Sequence, residues 1–312
     1  MTGKFAIGAD IGGSHISCAL IDLEKETIIP GSHAMLDVDN HAPASAILNA
    51  FARALSRPLA LVERQNLAGI GFAMPGPFDY SRGIALFTPE VAKYEHLYKV
   101  DVATSLKEIL GLGDGCALRF MNDAACFALG ESWMGEAKGT GKSVAITLGT
   151  GFGSAFVRDG IPVVEGSDVP RDGCFWHIPF KGSIADDFFS SRWFIREYLD
   201  RTGETMPGVK ELAGRAQSDR VSMELFKEFG TNMGGLLAPW LTLFDPGVLV
   251  IGGNIAGSYN LFGNYLEDSL KKQNLHLRIG LSGLKEDAAI TGSARLLEDN
   301  FWQRVKHVLT KM

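Results

Sequence analysis

The sequence predicts an α/β protein of two related halves, and three observations carry that prediction. Residues 7–15 (IGADIGGSH) and 146–154 (ITLGTGFGS) have the same make: an apolar run breaks into closely spaced glycines and small hydroxyl residues, then resumes as a second apolar run. Around both, short apolar runs with strand character alternate with longer stretches of helical period. A glycine pair, Gly252-Gly253, directly follows the apolar run 248–251 and precedes helix-like sequence.

Taken in order, the first half reads as strand 5–9, a glycine-tipped turn, strand 16–21, a third strand 27–35 and a helix 44–55. A fourth strand, 67–72, runs into Met74-Pro75-Gly76-Pro77, a stiff turn at a strand end, where open α/β sheets usually bind ligands. A helix at 101–110 and a strand at 117–121 follow, and this strand delivers Asn122-Asp123 to a helix reaching 134, with Asp123 at or near its N-cap. The second half repeats the plan from Val144: hairpin, loop-rich insertion 160–183, helices 186–199 and 222–241, strand 248–251. The repeat is topological and weak at the residue level. No linker separates the halves. The expected division is a small N-terminal domain of residues 1–118, joined by a returning final helix at about 297–312, and a larger C-terminal domain of residues 119–296.

At 312 residues, with 46% hydrophobic and 21% charged residues, the chain can build two soluble cores. A formal charge of −6 leaves no basic footprint, which argues against nucleic acid as a partner. The longest candidate for a membrane span, residues 236–251, is cut by Pro239, Asp245 and Pro246. Asp10 and its glycines stand where a signal peptide would have its apolar run, so a cytoplasmic protein with no membrane association is expected. Cys18, Cys116, Cys126 and Cys174 are scattered, with no C-x-x-C pair to signal a disulfide framework or a zinc cluster.

The chemistry gathers at the turns. Glycine at a hairpin tip admits positive φ and lets backbone N–H groups approach an anion closely, so two such tips suit a polyphosphate held between related halves. Asp10, ending a strand beside Gly12, Gly13 and Ser14, can hold Mg²⁺ directly or through water. A turn-forming aspartate would look the same in isolation; the company of the second tip favours the metal role. Asp123 is the candidate base, because a hydroxyl attacking phosphorus needs a carboxylate to take its proton, although a plain N-cap aspartate would also fit. Asn122 beside it gives a polar tip able to address adjacent hydroxyls. Gly252 and Gly253 suit close approach to an adenosine or α-phosphate, and equally a tight turn.

These residues, in order and spacing over nearly the whole chain, resemble the ROK family of repressors and sugar kinases, which has the actin, hexokinase and Hsp70 fold. Its D-x-G-G-T-K loop corresponds to Asp10-Ile11-Gly12-Gly13-Ser14-His15, and its P-G-P turn to Pro75-Gly76-Pro77. The N-D-A-N-A-A-A-x-G-E block appears as residues 122–131, the L-G-T-G-x-G loop as Leu148-Gly149-Thr150-Gly151-Phe152-Gly153, and the I-G-G strand end as Ile251-Gly252-Gly253. The resemblance implies two ribonuclease H-like (actin-like ATPase) domains with a cleft between them. It also implies ATP- and Mg²⁺-dependent phosphorylation of a hexose, usually at the 6-hydroxyl, by a protein that is commonly a homodimer. It makes Asp123 the base and gives Gly76, Asn122 and Asp123 to the sugar. Asp10, Gly12, Gly13, Ser14, Gly149, Thr150, Gly151, Gly252 and Gly253 fall to the nucleotide and its metal.

The departures sit where family members contact sugar and zinc. G-E-x-G-H becomes Gly173-Cys174-Phe175-Trp176-His177, which keeps the histidine, a sugar contact, and loses the glutamate. The zinc cluster that follows in the family is replaced by residues 181–187 without a cysteine, so no structural zinc is expected. Its last glutamate aligns with Asp187, or with Asp186 if the register moves by one. The asparagine of P-N-L-x-x-W is replaced by Glu90 within residues 89–94. Trp176 and Trp193 could stack on a sugar, though aromatic core packing is commoner. Altered charge and donor pattern at a sugar site changes which substrate it accepts, so a hexose other than glucose, such as an amino sugar, is the hypothesis. Equal glucose binding by wild type and Glu90→Asn would sink it. A catalytically weak sugar or nucleotide sensor is the alternative. A repressor is set aside, because the Asp10 loop starts almost at residue 1 and leaves a helix-turn-helix no room ahead of it.

Overall fold

Each glycine-tipped hairpin roots a sheet. The structure, a computed structural model, describes residues 3–88, 93–113 and 115–312. It divides into one unit of Met1–Lys138 with Glu286–Met312 and a second of Gly139–Lys285.

In the first unit, β1 (Phe5–Ile11) turns back into β2 (His15–Asp22), with Ile11 opposite Ile16. Short strands β3 (Thr27–Ile28) and β4 (Ala34–Asp37) both pair with β2. They replace the single strand expected at 27–35. Gly31 takes φ +76, and Ser32 donates its hydroxyl to Ile29 O at 2.7 Å and accepts from Leu20 N at 3.0 Å. Helix α1 (Ala44–Leu59) buries Ile47, Leu48, Phe51, Leu55 and Leu59, an apolar stripe at helical spacing. Strand β5 (Leu67–Met74) lies parallel to β1 with Ala73 beside Asp10. The small hairpin β6 (Phe78–Asp79) and β7 (Ile84–Ala85) comes next, then α2 (Val102–Leu110), whose first turn is capped by the Asp101 carboxylate accepting from Thr104 N at 2.9 Å. Strand β8 (Ala117–Asn122) adds parallel to β5 and leads directly into α3 (Asp123–Met134). The sheet order is β3-β2-β1-β5-β8. β1 and β5, paired on both sides, read as nearly continuous apolar runs, as parallel strands covered on both faces do.

The second unit repeats the order. β9 (Lys142–Leu148), β10 (Phe152–Arg158) and β11 (Ile161–Pro162) form the antiparallel part. After the short pair β12 (Pro179–Phe180) and β13 (Ser183–Ile184) come α4 (Ser191–Thr202), α5 (Val209–Arg215) and α6 (Arg220–Phe244). β14 (Val248–Gly252), α7 (Tyr259–Lys271) and β15 (Arg278–Leu281) complete it, with β9, β14 and β15 mutually parallel. The order β11-β10-β9-β14-β15 matches the first sheet position for position. Trp193 is 1% exposed and packs with Phe194 and Phe229 in this unit's core, so it is unavailable to stack on a ligand.

The chain then returns to the first unit as α8 (Asp287–Arg295) and α9 (Asp299–Val305). Here the domain boundaries differ from those expected. A cut at 118/119 falls inside β8, whose pairing with β5 holds it and α3 in the first unit, and the return begins at 286 rather than 297. The cause is backbone-to-backbone packing. A Cβ at Gly8 would stand 1.9 Å from Ile290 O and one at Gly71 1.9 Å from Ser293 O. A Cβ at Gly130 would lie 1.9 Å from Ala288 O, and one at Gly292 1.8 Å from Cys126 O. Helix α8 is thus seated on β1, β5 and α3 through glycines, a contact that carries no apolar periodicity.

Candidate active site

In the first unit the parallel strands β1, β5 and β8 end together and carry Asp10, the Pro75-Gly76-Pro77 turn and Asn122-Asp123. Gly12 N donates to His15 O at 2.9 Å to close the first tip. Two side chains distant in sequence hold it: the Tyr94 hydroxyl donates to Gly12 O at 2.7 Å, and Asn40 Nδ2 donates to Gly13 O. Val38 N donates to Ser14 O at 2.8 Å, leaving the exposed Ser14 hydroxyl at the tip. Burial raises the Asp10 carboxyl to about 7, and the negative charges of Asp123 and Glu286 add to that.

Asn122, not Asp123, is the N-cap of α3: its side-chain oxygen accepts from Ala125 N at 3.1 Å. Asp123 is the first helical residue, and its Oδ1 accepts from Ala124 N at 2.8 Å and from Asn122 Nδ2 at 2.9 Å. Burial pushes the Asp123 carboxyl above the ordinary range, against the Ala124 amide, the Lys93 ammonium and the Asn122 amide, all of which favour its charge. Asn122 Nδ2 also reaches the Tyr80 hydroxyl at 3.4 Å, which itself donates to Met74 O at 3.1 Å. A Cβ on Gly76 would lie 3.4 Å from that hydroxyl, so Tyr80 joins the P-G-P turn to the Asn122-Asp123 pair.

In the second unit, Leu148 faces Phe152 across a tip made of Gly149, Thr150 and Gly151. Gly149 O accepts from Ser191 N at 2.8 Å and from the Ser191 hydroxyl at 3.0 Å, which ties the tip to the start of α4. Phe152 N donates to Asp186 Oδ1 at 2.6 Å, and the other Asp186 oxygen accepts from Arg192 Nη2 at 2.5 Å. At the end of β14, Gly253 takes φ +84, and a Cβ there would stand 2.4 Å from Leu148 O. Gly253 thereby lies against the backbone that leads into the second loop. Positive φ is not what the tips need: Gly12, Gly13, Gly149 and Gly151 all lie outside the left-handed region. Packing does not require glycine at Gly149 either, since nothing lies within 4 Å of a Cβ built there; the tip is open at that point.

Of the residues assigned to sugar by resemblance, Gly76 and Asn122 lie together in the first unit, and Glu90 falls outside the described residues. His177 Nε2 is 2.9 Å from Arg171 O, which can only accept, so Nε2 is the donor in that bond. Trp176, half exposed, meets the His177 ring edge-on at 5.3 Å. Asp187 accepts from the Ser183 hydroxyl, whereas Asp186, the alternative register, is the carboxylate that touches the second glycine tip. Burial and the Asp172 charge push the Cys174 thiol up to about 11, so no thiolate stands where the family has glutamate. Among the described residues, no group of three or more His, Cys, Asp or Glu could hold a metal. No helix among them is long and apolar enough to cross a membrane.

Residues 6–300 match the ROK family profile. The chain belongs to the ROK family. The chain is 24% identical to the glucokinase of Thermotoga maritima, an alignment covering 94% of this chain and 97% of that protein. It is 26% identical to an N-acetyl-D-glucosamine kinase of Pectobacterium carotovorum, over 80% of this chain and 83% of that one. A ROK glucokinase from Streptomyces griseus, solved with glucose and AMPPNP, superposes with a TM-score of 0.73 at 22% identity, over 94% of this chain and 98% of its own. The ROK fold accounts for the repeated sheet order, the same in both units. Sequence reasoning overlooked Tyr94, Tyr80, Asn40 and Lys93. Tyr94 had a signal, as the aromatic ending the P-N-L-x-x-W stretch, and Lys93 precedes it within that stretch; Tyr80 and Asn40 approach the loops only through the fold.

Proposed function

We propose that this ROK member is an ATP-dependent sugar kinase that phosphorylates a hexose hydroxyl, the 6-hydroxyl by family resemblance, with Asp123 as general base. The observation that carries this is the state of Asp123. It begins a helix at the end of a parallel strand, accepts from a backbone amide and the Asn122 amide, and has its carboxyl raised by burial toward the range useful for taking a hydroxyl proton. Asn122 orients the acceptor sugar beside it. The family resemblance assigns the backbone amides at Gly12, Gly13 and Gly151, with Thr150, to nucleotide phosphates.

Asp10 fits a divalent cation. Its carboxyl is raised by burial and by like charges, which a cation or the water on it would relieve. With no cage of three or more ligands among the described residues, this suits Mg²⁺ arriving with the nucleotide, held by Asp10 through water. Bound there, Mg²⁺ would neutralise charge on the β- and γ-phosphates. The sugar oxygen forms its bond to phosphorus as the bond to the β-phosphate oxygen breaks; the hydroxyl proton goes to Asp123 and the leaving electron pair stays with ADP.

The relatives include kinases named for glucose and for N-acetyl-D-glucosamine, so the acceptor is a hexose or an amino sugar, and Glu90 and Cys174 are the positions to vary for specificity. The test is ADP release from Mg-ATP across a panel of hexoses and amino sugars, with Asp123→Asn as control. Saturable turnover on one sugar, reduced in the variant by roughly 10²–10⁴-fold in kcat, supports the reading. Sugar binding without turnover above the ATP-only background moves the chain to the sensor reading.

A further inference from the structure

We propose that the Lys93 ammonium is a second catalytic group, a cation that contacts the phosphoryl group as it passes from nucleotide to acceptor; this rests on the kinase reading above. A Cβ built on Gly13 would lie 3.6 Å from Lys93 Cε and 4.0 Å from Nζ, which places the ammonium over the first glycine tip. Its place is fixed by its neighbour. Tyr94 has no exposed surface, takes φ +52, packs at 5.9 Å against Phe51 and 5.8 Å against Phe87, and donates to Gly12 O at 2.7 Å. The Lys93 backbone is therefore pinned to the same loop its side chain covers. On its other side the ammonium acts on Asp123, favouring the charged form of that carboxyl against burial.

A cation flanked by a phosphate loop and the base stands where charge develops on the transferring phosphoryl group. Preorganised positive charge at that place is worth far more in the transition state than in the ground state. A solvated surface lysine would be indifferent to the reaction. A lysine serving only to neutralise Asp123 would not need to lie over Gly13. The ammonium is a compact point charge, so arginine at this position should keep the charge and lose part of the placement.

The experiment compares wild type, Lys93→Met, Lys93→Gln and Lys93→Arg, on the sugar that the panel identifies, by steady-state kinetics, Mg-ATP equilibrium binding and thermal melting. Lys93→Met and Lys93→Gln should each lower kcat by about 10²-fold, as loss of one preorganised charge does. In both, KM for sugar and the melting temperature should stay near wild type, and Lys93→Arg should recover at least about tenfold of the loss. If the Met and Gln variants both keep kcat within about threefold of wild type, the proposal is overturned while the kinase reading stands. If unsubstituted protein turns over no sugar, the kinase reading falls and the role of Lys93 with it, an outcome told apart by its appearance in wild type.

Discussion

At the scale of single residues, the two carboxylates Asp10 and Asp123 are placed where neither is comfortable. Each is partly buried; the Asp123 charge adds to the reluctance of Asp10 to ionise, whereas the Ala124 amide, the Lys93 ammonium and the Asn122 amide favour the charge on Asp123. Asp10 has a stability consequence. Its folded pKa of about 7 exceeds the ordinary 3.8, so between these values the native chain holds a proton that the unfolded chain releases. The stabilising contribution is complete below the lower value and is lost as pH rises through the higher one. In EDTA and without nucleotide, Asp10→Asn should therefore raise the melting temperature at pH 8, by an effect of about 1–3 kcal/mol, and give almost no gain at pH 4. Equal shifts at both pH values would mean that Asp10 ionises without penalty. The same variant should weaken Mg-ATP binding, which separates stability from function at one position.

Secondary-structure elements decide how the loops are aimed. The first tip is held by Tyr94 and Asn40, and the second by Ser191 at the start of α4, Asp186 before it, and Gly253 at the end of β14. Gly253 is the most constrained of these, with φ +84 and ψ 171 and the Leu148 backbone 2.4 Å from where a Cβ would stand. Gly253→Ala should destabilise the protein by roughly 1–3 kcal/mol, the cost of a strained backbone at a position over-determined by its surroundings. It should also weaken nucleotide binding, because Leu148 leads directly into the Gly149–Gly151 tip. Denaturant unfolding with Mg-ATP titration checks both; a stability loss with unchanged nucleotide affinity would show that the loop is seated by other contacts. The sequence located both tips and this glycine pair. It could not tell which glycine the packing requires, because open space at Gly149 and a backbone clash at Gly253 are the same letter in the chain.

For the whole molecule, the first unit is completed by chain from beyond the second. Helix α8 rests on β1, β5 and α3 through Gly8, Gly71, Gly130 and Gly292, and Ser293 accepts from Ala9 N at 3.2 Å. A chain ending at residue 285 would leave that face of β1 and β5 uncovered. Such a truncation should lose the cooperative unfolding of the first unit, with fast amide exchange through β1 and β5 and retained protection in β9 and β14. Uniform protection in both sheets would show that α8 is dispensable. The sequence by itself determined the two-halved α/β plan, the two glycine tips and the Asn122-Asp123 block, because these depend on local patterns: apolar runs, turn residues and a strand-to-helix junction. It also carried enough ordered motifs to mark the family. Only the tertiary structure decided that Asn122 caps the helix and Asp123 follows it, that Asp186 rather than Asp187 meets the second tip, and that the chain divides near 138 and 286. Those outcomes rest on hydrogen bonds and glycine-to-backbone contacts between segments far apart in sequence, which leave no periodic trace in it. Lys93 belongs with them, since its ammonium reaches Gly13 only because Tyr94 is buried beside the same loop.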